Sequence, residues 1–178
     1  MADTMRTIAE IKALLATAPA GISAQDMRDV VESLRERGSE LYISSSVETV
    51  ISAVNTPVKM LGTTMLVTGG DGFSMPVNNR LQWDGDVPVR VAVVCGFSIT
   101  AAANNKIMVA HLALNGSVIV SSEAPRKIGT GTDIGRANLV GQVVMNTGDY
   151  IEGWIENTTD STNLTVDNMT MITTAHVI

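Results

Sequence analysis

The stretch AHLALNGSVIVS, residues 110–121, decides the fold of this chain. Asn115 and Gly116 both accept the positive φ that a tight two-residue turn demands, and each side of them carries a short apolar segment. That combination predicts a β-hairpin. Working outward, apolar segments of strand length recur at 58–67, 87–100, 106–114, 117–121, 138–145, 149–156 and 164–178. Between them stand turn formers: Gly69-Gly70-Asp71-Gly72, Asn78-Asn79, Asp84-Gly85, Asn104-Asn105, Thr147-Gly148-Asp149 and the polar run 157–163. Strands at this spacing, with no helical pattern between them, predict an antiparallel sandwich or jelly roll over residues 58–178.

The first residues follow a different period. Thr7 and Glu10 stand three apart, the spacing of a reciprocal helix cap, and Ile8, Ile11, Leu14 and Leu15 then recur at helical intervals. The run Thr17-Ala18-Pro19-Ala20-Gly21 should stop that helix. A second cap pairs Ser23 with Asp26, and Met27, Val30, Val31 and Leu34 form one apolar stripe ahead of Gly38. Residues 1–38 are therefore expected to form a short helical hairpin arm. Two such helices bury too little to stand alone, so the arm is expected to pack either on its own β domain or on another protein. Residues 39–57 are expected to connect arm and β domain, with a short helix through Val47, Val50, Ile51 and Val54 ended by Asn55-Thr56-Pro57.

Composition narrows the function. The 178 residues include 18 acidic and 12 basic side chains, a net charge of −6, and no basic run, which argues against nucleic acid or an anionic membrane as partner. The apolar segments fall far short of the roughly 20 residues that span a bilayer. The opening MADTMRTIAEIK carries Asp3, Glu10 and Lys12 and lacks a signal-peptide core, so a chain made in a cytoplasm is expected. A single cysteine, Cys95, lies in the most apolar run, where a thiol serves as a small hydrophobe.

No constellation of catalytic groups stands out. The two histidines, His111 and His176, lack the spacing of a metal pair, and neither a metal nor a cofactor is expected. Gly129 to Gly135 resembles a phosphate loop only superficially, since the lysine and the helix that would follow are missing. Asp149, Glu152 and Glu156 alternate with Tyr150, Ile151, Trp154 and Ile155, which places Glu152 and Trp154 on one strand face and Ile151 and Ile155 on the other. Charged residues on the wet face of a strand account for that pattern without catalysis. Trp83 and Trp154 are the indoles that could stack on a sugar, although core or subunit-interface packing is the more frequent use of such a residue, and Asp133 lies in a glycine-rich loop that could hold a glycan or a cation.

A resemblance adds to this reading. The series Thr56-Pro57-Val58-Lys59 with Gly62-Thr63-Thr64, Asn79 to Trp83, Asn104-Asn105-Lys106, Asn115-Gly116, Gly129-Thr130-Gly131, and Gly148 to Glu152 with Trp154, Glu156 and Asn157 resembles the small trimeric jelly-roll domains of tailed-phage virion proteins. Those domains are similar in fold to tumour necrosis factor (TNF) and the complement globular head. Ile22 to Leu34 likewise resembles a helix common near the N-termini of phage structural proteins. Gln82-Trp83-Asp84-Gly85 departs from the pattern, which has a Thr and a Tyr before that glycine. The resemblance implies a TNF-like homotrimer without an active site that decorates a virion, on the outer capsid surface. Its arm residues Met27, Val30, Val31 and Leu34 would contact the major capsid protein or another virion protein. The alternative it implies is a head or tail fibre that holds host surface glycans through Trp83, Trp154 and Asp133.

Overall fold

A computed structural model describes residues 6–17, 22–67, 71–130 and 133–178. Two helices, α1 (Ile8–Thr17) and α2 (Ala24–Leu34), precede thirteen strands: β1 (Arg37–Ser46), β2 (Glu48–Thr49), β3 (Val58–Lys59), β4 (Gly62–Leu66), β5 (Phe73–Ser74), β6 (Leu81–Trp83), β7 (Val89–Ala101), β8 (Lys106–Leu114), β9 (Ser117–Val118), β10 (Ala124–Ile128), β11 (Gly135–Met145), β12 (Tyr150–Asn157) and β13 (Leu164–Val177). All strand pairing is antiparallel. One sheet runs β11-β7-β13-β1-β4 with β2 on β13, and the other runs β10-β8-β12-β6-β5 with β3 on β12 and β9 on β8. From β7 to β13 the chain crosses repeatedly between the sheets, the winding of a jelly roll.

Strand burial alternates as a half-buried sheet requires. Along β7, Val89, Val91, Val93, Cys95, Phe97, Ile99 and Ala101 point inward, and Arg90, Ala92 and Val94 point out. The core is aliphatic and methionine-rich, with Met60, Met108, Met145, Met169 and Met171 fully or almost fully enclosed. Flexible thioethers fill the irregular gaps that larger rings would otherwise occupy. Burial pushes the Cys95 thiol far above its ordinary range, so it remains a protonated core group.

The caps expected from sequence are present. Thr7 N–H donates to Glu10 Oε2 at 2.7 Å while Glu10 N–H donates to Thr7 Oγ1 at 3.2 Å, and Ser23 and Asp26 make the same reciprocal pair on α2. Asn115 and Gly116 take φ values of 52° and 76° between the paired ends of β8 and β9. The expected helix stop at 18–21, the turn residues 69–70, and Gly131-Thr132 lie outside the described residues.

Residues 39–57 differ from the expected connector with a short helix. Arg37–Ser46 is instead a strand inside the first sheet, between β13 and β4. The alternation Ser39, Leu41, Ile43 inward against Glu40, Tyr42, Ser44 outward has period two, and it begins within the stretch assigned to the arm. Arg37 is buried beneath the sandwich, donating to the carbonyls of Glu32 and Arg35 and pairing with the Glu32 carboxylate at 2.9 Å. It thereby satisfies orphan carbonyls at the C-terminus of α2. Val118 ends β9 sooner than expected, because residues Val120–Ser122 turn into a single 3-10 turn and Ser122 Oγ bonds back to Leu112 N–H.

Trp83 is fully buried. Its ring meets Phe73 edge-on at 5.1 Å, and its indole N–H donates to the Val87 carbonyl at 2.9 Å. A Cβ placed on Gly72 or Gly85 would come within 2.4 Å or 2.1 Å of the indole, so both glycines exist to let the ring lie between them. Sugar stacking by Trp83 is thereby overturned, because both faces of the ring are packed inside the protein. Trp83→Ala should lower stability by about 3–5 kcal/mol, and Gly85→Ala should destabilise as well although it adds a single methyl; thermal denaturation followed by circular dichroism reads both.

Candidate interaction surfaces

The outer faces of the two sheets are chemically opposite. On the first, cross-strand register aligns Val140, Val94 and Ile172 into a row, continued by Glu40 of β1. These valines and the isoleucine are 70%, 51% and 46% exposed. Val144 joins them nearer the arm, across from Arg90 and His176, and the half-buried Tyr42 pairs with the exposed Met65. β-Branched side chains side by side in water across three long strands form the kind of contiguous apolar surface that marks an association site. Toward the other end of the same strands the face becomes polar, with Arg136, Ser98 and Asn168 in one row and Asn138, Gly96 and Thr170 in the next.

This face was missed in the sequence although a signal for it exists. The run VRVAVVCGF, 89–97, is apolar at Ala92 and Val94 as well as at the odd positions. A strand apolar on both parities places apolar side chains on both faces of its sheet.

The outer face of the second sheet spends its polar groups on one another. Glu152, almost fully buried, accepts from Lys59 Nζ at 2.7 Å, from the Arg80 guanidinium at 3.0 Å, and from Trp154 Nε1 at 3.1 Å. Arg80 also lies over the Tyr150 ring, 3.6 Å from its centre. Burial pulls the Glu152 pKa upward, but the bonds from Lys59, Trp154 and Arg80 outweigh it and hold the carboxyl below its ordinary value. A carboxylate so engaged is a structural anion. Beside it His111 is enclosed, with Nε2 3.3 Å from Glu156 Oε1. A proton on Nε2 makes that contact a hydrogen bond and leaves Nδ1 as an acceptor without a partner.

The residues singled out by sequence separate accordingly. Met27, Val31 and Leu34 are exposed on α2, Leu34 at 68%, while Val30 is half-buried. The helix turns its polar side inward. Asp29 and Ser33 are buried, Asp29 pairs with Arg6 at 2.9 Å, and Ser33 Oγ accepts from Arg6 N–H at 2.7 Å. The apolar stripe is therefore left facing solvent, together with Ile8 and Ile22. Trp154 is half-buried and tied to Glu152, and it shares the Glu152 face as expected. Both oxygens of Asp133 turn back to Thr130, accepting from its N–H at 2.8 Å and its hydroxyl at 3.0 Å. Those bonds hold its pKa down and close the loop. Among the described residues no group of three or more His, Cys, Asp or Glu side chains is placed to hold a metal ion.

Asp160 completes the ionic pattern. Its bond from Lys106 Nζ at 2.6 Å and the backbone N–H of Thr162 lower its pKa to about 2. A carboxyl whose folded pKa lies below its unfolded value contributes stability above the unfolded value and loses it as pH falls through the folded one. Asp160 and Glu152 should therefore withdraw stabilisation as pH drops below about 4, the ordinary carboxylate range. Glu152→Gln should destabilise by about 1–3 kcal/mol at neutral pH, less than for fully enclosed partners because Lys59 and Arg80 retain some solvent. It should also flatten the acid limb of the stability profile, read by urea unfolding from pH 7 to pH 2.

No protein-family model matches the chain, and no curated protein matches it by sequence. Solved structures do. Eiger TNF from S. frugiperda aligns with 81% of this chain and 94% of its own at 7% identity, with a TM-score of 0.50. Murine APRIL covers 78% of this chain and 98% of its own at 9% identity, TM-score 0.47, and the PRD1 vertex protein P5 covers 80% and 97% at 9% identity, TM-score 0.46. At such identities likeness is one of fold. The architecture of this protein is a TNF-like jelly roll preceded by two helices.

Proposed function

We propose that the protein is a structural homotrimer that decorates the outer surface of a tailed-phage capsid, with the N-terminal arm as anchor and the β domain projecting outward. The observation that carries the reading is the row Val140, Val94 and Ile172, exposed on strands whose other face already fills the core. Covering that row with a second copy removes apolar surface from water at roughly 25 cal/mol per Å². Threefold closure is what the sequence resemblance to trimeric virion domains implies, and closed symmetry uses up such a patch without leaving one free to propagate.

The arm supplies the second half of the reading. Because Arg6, Asp29 and Ser33 hold the polar side of α2 inward, Met27, Val31 and Leu34 stand ready for another protein, as a helix laid into a groove would present them. The major capsid protein is the partner proposed. A glycan-binding fibre, the competing reading, loses Trp83 to the core and Asp133 to its own loop.

Light scattering coupled to size exclusion should give three times the 18.8 kDa chain mass. Val94→Glu with Val140→Glu should yield a folded monomer, since both residues point away from the core; a mass unchanged by the pair would overturn this face as the assembly surface. Removing residues 1–34 stops short of the buried Arg37. The shortened protein should remain trimeric and no longer sediment with capsids, and continued decoration would remove the anchor role from the arm. In purified particles, quantitative mass spectrometry should find a copy number approaching that of the capsid protein.

A further inference from the structure

The polar end of the first sheet's outer face contains a cavity of about 220 Å³ lined by Gly96, Ser98, Arg136, Asn138, Asn168 and Thr170. Its lining is unusual in what it leaves unused. None of the side chains of Ser98, Arg136, Asn138, Asn168 and Thr170 bonds to any other described residue. Several asparagines elsewhere in the molecule spend their amides internally. Asn79 bonds Met60 and Gly153, Asn115 and Asn146 bond Asp149, Asn157 bonds Asp160 and Thr162, and Asn163 bonds Glu48. Those amides build turns. Asn138 and Asn168 sit instead on rigid long strands and point their amides outward into the cavity.

Charge bears on the same corner. The chain is acidic, and half of its 12 cations, Arg6, Arg35, Arg37, Lys59, Arg80 and Lys106, each contact a carboxylate. Arg136 has no such partner among the described residues, and no carboxylate lines the cavity. Gly96 forms the floor, and a Cβ there would stand 3.2 Å from Asn138 Oδ1. The floor is thus bare backbone that a flat ring can approach.

We propose that this cavity binds one acidic sugar unit, with its carboxylate on Arg136 and its hydroxyls on Ser98, Asn138, Asn168 and Thr170. A guanidinium recognises a carboxylate through two parallel hydrogen bonds. Amide and hydroxyl side chains both donate and accept, which is the pairing that vicinal sugar hydroxyls require. The volume is below the 300–1,000 Å³ or so of drug-sized sites and fits a single ring. The site lies off the apolar row, so it goes beyond the assembly role proposed above and can fail independently of it.

The test titrates the full-length ¹⁵N-labelled protein with sodium glucuronate, glucose and sodium sulfate in parallel. Glucuronate should shift the backbone amides of 96–98, 136–138 and 168–170 and bind about tenfold more tightly than glucose or sulfate. Arg136→Gln should weaken glucuronate about tenfold with the oligomeric mass unchanged, and Gly96→Ala, which fills the floor, should weaken it too. Sulfate binding as tightly as glucuronate would mean an adventitious ion only and overturn the sugar assignment. Absence of binding, or shifts elsewhere on the molecule, would overturn the site. Loss of the oligomer in Arg136→Gln without a change in glucuronate binding would also overturn it, and would assign the cavity to a carboxylate of a second copy.

Discussion

A single register, that of Val89–Ala101 between Gly135–Met145 and Leu164–Val177, decides what this molecule encloses and what it shows to its surroundings. Side chains on a strand alternate with period two, so a slip by one residue would carry Val91, Val93, Cys95 and Ile99 into water and bring Arg90 into the core. The inward set cannot be exposed and the arginine cannot be buried unpaired, so the register is fixed by the cost of its alternative. Once it is fixed, so are both rows of the outer face. Val94 must lie beside Val140 and Ile172, and Ser98 beside Arg136 and Asn168. The shift between Val166 and Asn168 is what makes the last row possible. A bulge there leaves Asp167 outside the pairing and turns Asn168 to the face that carries Ser98.

The second sheet solves the same problem of an outer face by other means. Its strand β12 offers Tyr150, Glu152, Trp154 and Glu156, large polar groups that would be costly to order separately. They are ordered together, because Glu152 draws Lys59, Arg80 and the Trp154 indole onto one carboxylate and Arg80 covers Tyr150. A face of this kind has few groups left to offer a partner. The asymmetry is why the association proposed above uses the first sheet: among the described residues its valines have no packing partner and the polar side chains at its far end have no bond.

Legibility in the sequence followed how local each determinant was. Asn115-Gly116, Thr7 with Glu10, and Ser23 with Asp26 act within a few residues, and each folds as its spacing demands. Strands with apolar, evenly spaced interiors such as 89–101 and 164–177 were equally readable. What escaped was settled by distant partners. Arg37–Ser46 mixes serines with Leu41, Tyr42 and Ile43, a set that suits several conformations, and it becomes a strand because β13 and β4 supply neighbours on both sides. Trp83 could serve a sugar or the core on sequence alone, and the choice is made by Phe73, Gly72 and Gly85 closing around it from separate turns. Asn79 reads as a turn marker, and it is one, with φ at 56°. Its buried amide also joins the Met60 carbonyl to the backbone of Gly153, more than seventy residues away.

The arm follows the same logic of groups that lack a local solution. An amphipathic helix next to a sandwich ordinarily lays its apolar stripe on the core and keeps its polar side wet. Here α2 is inverted, because Arg6 seeks the Asp29 carboxylate and the Ser33 hydroxyl, and Arg37 seeks the carbonyls at the helix end. Those charge-assisted bonds fix which side of the helix faces inward. The sandwich has no reason to accept Met27, Val31 and Leu34, since its own core is already filled by residues from both sheets. An exposed stripe held outward by buried polar bonds is apolar surface that the fold itself leaves uncovered, and the same holds for the valine row on the first sheet.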